Sequence, residues 1–473
     1  MFPVTAVQPR LRWFRLLFGI FLSLWLVSVG WAASQRPNIV FYLSDDLGVD
    51  FVGCYGNKVI RTPNIDQLAA QGVKFQRVFA ASPTCSPSRA AIYSGMYPSR
   101  NGLMGNHTDS RADLKTLPHH LGALGYRVVL ANKSDVRPPS SYPFEILKAT
   151  LPPDPNFRRR YRAEGLDAQA VDAFLAKHAK EHPDQPLCLV LGDNNPHVLW
   201  EKNKTYNPNK LPIPPIMVDT AKTRTALANY YQDITTLDDR VGKVLGSLKK
   251  HGFEENTLFI FTSDQGAEWP HCKWTVYDTG LRVPFIARWP GKIKPNTTNP
   301  ALISFVDLLP TFYDLAGGGK LDGVDGLSFK DVLLGEQKKF RETIFASHTG
   351  DGEMNMCPQR CVRDERYKLV LNLNPERKWT THFTKVEGIK DSHAEVYSTW
   401  TDKAKEDVIA AHLVNLIENH PKWELYDTRS DPYELRNLIG QGGHSKRVAK
   451  LKAELQAWLK QQGDDEGASA AND

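Results

Sequence analysis

Short apolar runs that each stop at charged or amide residues constrain this chain more than any other feature. Ile39-Val40-Phe41-Tyr42-Leu43 runs into Ser44-Asp45-Asp46. Residues 126–131 run into Asn132-Lys133, and residues 187–191 lead to Asp193-Asn194-Asn195-Pro196-His197. Residues 258–261 run into Ser263-Asp264-Gln265-Gly266. Each run has strand length and is apolar but for Arg127, the pattern of a strand covered on both faces. Helical stretches lie between them. One over 64–70 opens after Thr62-Pro63 and closes at Gly72. A longer one over 226–248 repeats Leu227, Tyr230, Ile234, Leu237, Val241, Val244 and Leu248 at helical spacing. Alternating strands and helices predict an α/β fold, a large, mostly parallel sheet flanked by helices. Such sheets bind ligands beyond the carboxyl ends of their strands. Asp45, Asp46, Lys133, His197 and Asp264 are therefore expected to converge there.

The texture changes after about residue 345. Residues 362–370 read as a hairpin, Trp423-Glu424-Leu425-Tyr426-Asp427 as a strand, and 448–459 as a helix. This predicts a smaller C-terminal α+β subdomain, with a polar, frayed tail over 463–473. At the other end, Arg10, Arg12 and Arg15 precede an apolar run over 16–31, followed by Ala32-Ala33-Ser34. That order is a secretory signal peptide. The run is short for a membrane span and broken by Gly19, Ser23 and Ser28, so cleavage is expected rather than anchoring. The chain divides into a signal peptide over 1–33, a catalytic α/β domain over 34–345 and a subdomain over 346–473. The expected location is secreted or periplasmic, with no stable membrane span.

Lys+Arg 59 against Asp+Glu 53 leaves only +6, and no nucleic-acid motif accompanies it, so nucleic acid is not an expected partner. Six cysteines in 473 residues do not make a disulfide scaffold. Cys357 and Cys361 are close enough in sequence to bridge. Cys54, Cys188 and Cys272 read as single sites, with Cys188 a buried thiol in an apolar run.

Cys85 stands apart. In Cys85-Ser86-Pro87-Ser88-Arg89, Ser86 suits a helix cap and Pro87 the first helical position. Cys85 would sit just before a helix N-terminus, which favours an anion, with Arg89 one turn on. The spacing is too short for the phosphate loop of a thiolate phosphatase. Asp45-Asp46 and Asp264-Gln265 supply hard oxygen ligands suited to Ca²⁺ or Mg²⁺. Taken singly, Asp45-Asp46 reads as a cap or turn and Asp264-Gln265-Gly266 as a turn after a strand. Both simple readings weaken once the pairs end parallel strands of one sheet.

Cys-x-Pro-x-Arg followed by Ala90-Ala91-Ile92-Tyr93-Ser94-Gly95, behind an Asp-Asp strand end, resembles the type I sulfatases of the alkaline phosphatase superfamily. The similarity extends from Arg36-Pro37-Asn38-Ile39 to Asp431-Pro432-Tyr433-Glu434. Within the family the chain is similar to the sulfamidases (heparan N-sulfatases, N-sulfoglucosamine sulfohydrolases). The matching segments are Asn101-Gly102-Leu103-Met104-Gly105, Tyr142-Pro143-Phe144 and Leu371-Asn372-Leu373-Asn374.

The resemblance implies that a maturase oxidises Cys85 to formylglycine (3-oxoalanine). It implies that Asp45, Asp46, Asp264, Gln265 and the modified Cys85 bind a divalent cation, Ca²⁺ with Mg²⁺ as the alternative. Arg89 would steady the formylglycine, while Lys133, His197 and Lys273 would hold the sulfate and leaving group. The implied substrate is a sulfated saccharide, with heparan-type glucosamine favoured. One hydroxyl of the hydrated aldehyde would attack sulfur, and His197 or Lys273 would protonate the departing atom.

Two positions depart from the family pattern. Lys-x-His becomes Lys133-Ser134-Asp135, so Asp135 would serve as a base or repel sulfate. Asp-Asn-Gly becomes Asp264-Gln265-Gly266, which keeps the amide oxygen one methylene further out. These departures leave two alternatives, a phosphodiesterase or phosphonate hydrolase of the same plan, and a glycan-binding pseudo-sulfatase. The basic run Arg158-Arg159-Arg160-Tyr161-Arg162 reads as a solvated helix start, or as a contact to sulfated polysaccharide. The sequence leaves the oligomeric state open.

Overall fold

A computed structural model describes residues 2–3, 36–149, 165–352, 356–384 and 392–472. The basic run 158–162 and, apart from residues 2–3, the expected leader lie outside the described residues. Residues Pro37–Asp473 form one compact unit. Among the described residues, no helix is long and apolar enough to cross a membrane.

The larger sheet contains β1 (Asn38–Ser44), β2 (Val73–Phe79), β3 (Arg127–Asn132) and β4 (Glu145–Leu147). It continues with β5 (Leu187–Gly192), β6 (Thr257–Ser263), β7 (Arg282–Arg288) and β8 (Thr297–Ser304). The order across the sheet is β4-β3-β5-β1-β6-β7-β2-β8. Strand β7 runs antiparallel to both neighbours, and the other pairings are parallel. The four strands whose ends carry the polar residues, β3, β5, β1 and β6, are adjacent. Their register is level: Gly192 pairs with Asn132 and with Leu43, and Leu43 pairs with Thr262. Lys133, Asp45 and Asp264 therefore leave the sheet at nearly one height.

The apolar strands are explained by cover on both faces. The helices are α1 (Pro63–Ala70), α2 (Cys85–Ser94), α3 (Ala168–Glu181) and α4 (Ala221–Lys250). Ile39, Phe41 and Leu43 pack with Ala90, Ile92 and Tyr93 of α2. Val40 and Tyr42 point the other way, onto Leu227, Tyr230 and Ile234 of α4 and Val171 of α3. A strand buried on both sides has no solvent face to encode, so its alternation disappears from the sequence.

The second sheet holds β9 (Ile344–His348), β10 (Gln359–Arg363), β11 (Tyr367–Asn372) and β12 (Trp423–Asp427), all antiparallel in the order β12-β11-β10-β9. The expected hairpin is β10–β11. Helix α5 (Ser445–Gln462) lays Leu451, Leu455 and Leu459 against Val362, Leu369 and Leu425 of this sheet.

Two expectations are corrected here. The tail, described as far as residue 472, does not fray; it forms helix α6 (Asp465–Asn472) with Ala471 buried. Its anchor is Arg360 of β10, whose buried guanidinium bonds the carboxylate of Asp464. A buried charge requires such a partner, and its removal would leave Arg360 unpaired. Cys357 and Cys361 do not bridge. Both are buried free thiols, and Cys361 sits mid-strand in β10 opposite Val370 and Ala346.

Candidate active site

Helix α2 begins two residues earlier than its sequence suggests. Thr84 is the extended flanking residue, Ser88 N donates to Thr84 O at 3.0 Å, and Cys85 is the first helical residue. Pro87 falls in the first turn, where a missing N–H leaves no helical bond unmade. Ser88 Oγ donates to Asp264 O at 2.6 Å, which ties this helix start to the end of β6. Gly266 allows the β6 exit to pass close to the next loop, because a Cβ there would lie 1.9 Å from Thr279 O.

Cys85, 2% exposed, meets residues from two strand ends. Its Sγ donates to Asp45 Oδ1 at 3.4 Å and accepts from Gln265 Nε2 at 3.1 Å. Gln265 Nε2 also donates to Asp46 Oδ1 at 2.6 Å. Asp264 Oδ1 accepts from Gln265 N at 2.9 Å and Asp46 N at 3.3 Å. Asp46 takes a φ of 64°, a conformation costly for a residue with a Cβ, and Tyr230 of α4 holds its carbonyl at 2.7 Å. Asn132 and Asp135, on either side of Lys133, are also left-handed at 66° and 56°.

Cations surround this group. Arg89 is fully buried and pairs with Asp264, while its Nη1 donates to Lys133 O at 3.2 Å. Lys133 Nζ lies 2.5 Å from Asp45 Oδ2, and Lys273 Nζ lies 2.7 Å from Asp46 Oδ2. His197 Nδ1 donates to Val198 O at 2.7 Å, which leaves Nε2 facing Asp46 Oδ2 at 3.7 Å. Eight residues expected beside Cys85 from the sequence (Asp45, Asp46, Arg89, Lys133, His197, Asp264, Gln265 and Lys273) converge on one site.

Asp135 is brought close but does not bond Cys85. Its Oδ2 stands 3.5 Å from Lys133 Nζ, and its Oδ1 stands 3.7 Å from His107 Nδ1. Lys133, Arg89 and His107 outweigh burial and hold its carboxyl below the usual range. An ionised carboxylate paired in this way is not a bare charge facing an incoming sulfate.

Glu268 was not foreseen. It is buried, and its Oε2 lies 3.2 Å from Lys273 Nζ and 3.5 Å from His197 Nε2. The available signal was an acidic residue in the otherwise apolar stretch Gly266-Ala267-Glu268-Trp269-Pro270, five positions before Lys273.

Electrostatics separate the acids. Burial raises Asp45, but Lys133, His197 and Arg89 together hold it well below the carboxylate range. Burial and Asp45 push Asp264 up to about 8 despite Arg89. Burial likewise raises Asp46 against the pull of Lys273. Asp45 thus keeps its negative charge, while Asp264, Asp46 and the buried Glu268 are pushed toward the neutral form. Carboxylate oxygens of Asp45, Asp46 and Asp264 lie within 4.8 Å of one another, all buried, and Gln265 Oε1 is buried without a hydrogen-bond partner. Four hard oxygens, one of them unpartnered, fit Ca²⁺ or Mg²⁺.

The Cys85 thiol is not activated. Burial and then Asp45 push it well above its usual range, against Lys133 and Lys273. Thiolate chemistry needs the opposite shift.

Strand ends thus gather acids and cations around the first turn of a helix. Residues 37–318 match the Sulfatase family, and residues 268–412 match "N-sulphoglucosamine sulphohydrolase, C-terminal". The chain belongs to the sulfatase family and is a sulfuric ester hydrolase. It is 33% identical to an ulvan-active sulfatase of Formosa agariphila, over 92% of this chain and 82% of that protein. It is 25% identical to the N-sulphoglucosamine sulphohydrolase of Homo sapiens, over 92% of both chains. Among solved structures, it shares its fold with a protein in complex with D-glucosamine-2-N,6-O-disulfate, at a TM-score of 0.68 and 20% identity, over 92% of this chain and 99% of that one. A phosphonate monoester hydrolase of Agrobacterium radiobacter has the same TM-score at 19% identity, over 90% of this chain and 96% of that one.

Proposed function

We propose that the chain hydrolyses a sulfate group from a sulfated sugar, with N-sulfated glucosamine as the favoured substrate. The observation that carries this reading is Cys85, seated between Asp45 and Gln265 with Lys133 and Lys273 at its sides. Conversion of Cys85 to formylglycine by a maturase would supply the attacking oxygen that an unactivated thiol lacks. A divalent cation would be held by Asp45, Asp46, Asp264 and Gln265, where it would supply Lewis-acid stabilisation of negative charge. Arg89 keeps Asp264 in place. Lys133 and Lys273 offset charge on the sulfuryl oxygens as the bond to sulfur breaks. Lys273 and His197 stand where a proton can reach the departing oxygen or nitrogen.

The match of residues 268–412 to the N-sulphoglucosamine sulphohydrolase C-terminal family supports the N-sulfated substrate. The Formosa agariphila relative supports a second reading, a sulfated polysaccharide such as ulvan. The pairing of Asp135 with Lys133 supports turnover over mere glycan binding. The basic, apolar and small-residue order of the first 34 residues supports export to the periplasm or outside the cell.

The test is sulfate release by protein made with a maturase and checked by mass for conversion at Cys85. N-sulfoglucosamine, 6-O-sulfated N-acetylglucosamine, ulvan oligosaccharides and a phosphonate monoester are compared. Release from N-sulfoglucosamine is expected. Turnover of the phosphonate alone would overturn the sulfohydrolase reading.

A further inference from the structure

Glu268 has no part in the reaction as written above, yet both leaving-group residues converge on it. Its Oε2 stands 3.2 Å from Lys273 Nζ and 3.5 Å from His197 Nε2. Asp46 Oδ2 lies near the same two nitrogens, at 2.7 and 3.7 Å. Local structure enforces this. Lys273 N donates to Ala267 O at 3.0 Å, which folds Lys273 back over Glu268. Trp269, fully buried, stacks on Trp200 with centroids 5.0 Å apart, and Trp200 Nε1 donates to Pro196 O beside His197. The loop carrying Glu268 and Lys273 is thereby locked to the loop carrying His197.

We infer that Glu268 is a positioning residue for leaving-group departure, holding Lys273 Nζ and His197 Nε2 toward the departing atom while Asp46 serves the cation. The inference deepens the sulfohydrolase reading and rests on it. When the S–O or S–N bond breaks, its electron pair stays on the sugar oxygen or nitrogen. That atom takes one proton from Lys273, or from His197 when its ring carries a proton on both nitrogens, and the donor recovers a proton from water. With Asp46 committed elsewhere, Glu268 is the carboxylate that still fixes the direction of both nitrogens. Direction matters, because misplacement of a reacting group by ~1 Å costs on the order of 100-fold in rate.

The experiment is a leaving-group series on Glu268→Gln, which keeps the side-chain shape and removes the charge. Converted, Ca²⁺-loaded wild type and variant are compared on aryl sulfates. Phenyl sulfate needs a proton on its leaving oxygen, so its kcat is expected to fall about 100-fold. The para-nitrophenolate leaves unaided, so kcat on its sulfate is expected to change less than about threefold. KM and bound metal stay unchanged. Equal losses on both esters, or no loss on either, would overturn the inference. Wild-type rates on the sulfated sugars judge the sulfohydrolase reading, and the variant-to-wild-type ratio on aryl sulfates judges this one. If the wild type turns over no aryl sulfate, a crystal structure of E268Q decides. Displacement of Lys273 Nζ or the His197 ring sustains the inference, and an unmoved pair overturns it.

Discussion

Arg89 and Asp264 meet at a single oxygen: Nε and Nη2 of the guanidinium both lie 2.8 Å from Asp264 Oδ2, and neither side chain touches solvent. This pair joins helix α2 to the end of β6. It leaves the other oxygen, Oδ1, to the backbone N–H groups of Asp46 and Gln265.

Removal of the guanidinium leaves Asp264 buried beside Asp45 with no cation of its own. Arg89→Ala is expected to lose about 3–5 kcal/mol of stability. Urea unfolding at neutral pH measures this. A loss under about 1 kcal/mol, typical of an exposed pair, would show that the contact is not structural.

The thiols are predicted to be inert in the native fold. Cys85 is pushed well above its usual range, and Cys54, Cys188, Cys357 and Cys361 are each pushed up to about 12, chiefly by burial. Iodoacetamide at about pH 8 should leave the native mass unchanged over a period that alkylates free cysteine fully. After denaturation all six cysteines should react in unconverted protein, and one fewer where Cys85 is formylglycine. Rapid alkylation of native Cys85 would contradict the buried, uncompensated thiol.

A cation at Asp45, Asp46, Asp264 and Gln265 would bind the folded state alone, because the ligands come from distant strand ends. Ca²⁺ at 100 times its Kd should therefore add about 2.7 kcal/mol, and EDTA should remove it. Asp264→Asn should abolish the Ca²⁺ dependence of Tm. Identical melting in Ca²⁺ and EDTA would count against a cation at this cluster.

His271 gives a pH signature away from the cation ligands. It is buried, stacks on Tyr277 at 4.1 Å and donates from Nε2 to Tyr433 O at 2.9 Å. Burial lowers its pKa from 6.5 to about 4. The folded state thus keeps the ring neutral where the unfolded chain takes a proton. Stability is full above pH 6.5 and is lost as pH falls toward 4, by roughly 3 kcal/mol in total. Urea titrations across this window should show His271→Gln with a shallower slope than wild type. Equal slopes would assign the acid sensitivity to other groups.

Much of the site was legible because its residues sit at strand ends, where apolar runs stop abruptly. Asp45, Asp46, Lys133, His197 and Asp264 were each marked by such a stop. Glu268 and His107 were not, since both lie in loops and gain meaning only from their neighbours. The tail over 464–472 misled for a related reason: its small and polar residues resemble a frayed end, and the buried Arg360 that captures Asp464 lies more than a hundred positions away.

The α/β class, the alternation of strands with helices and the chemical kind of each strand-end residue are properties of local pattern, so the sequence alone determined them. Strand order is not local. Only the tertiary structure set β3, β5, β1 and β6 side by side in level register, and only that placement brings Lys133, Asp45, His197 and Asp264 into one group. It also decided charge. Asp45 and Asp264 are the same residue type, yet burial beside different cations holds one well below the carboxylate range and pushes the other up to about 8. Composition specifies which groups can ionise, and three-dimensional proximity in a low dielectric decides which of them do.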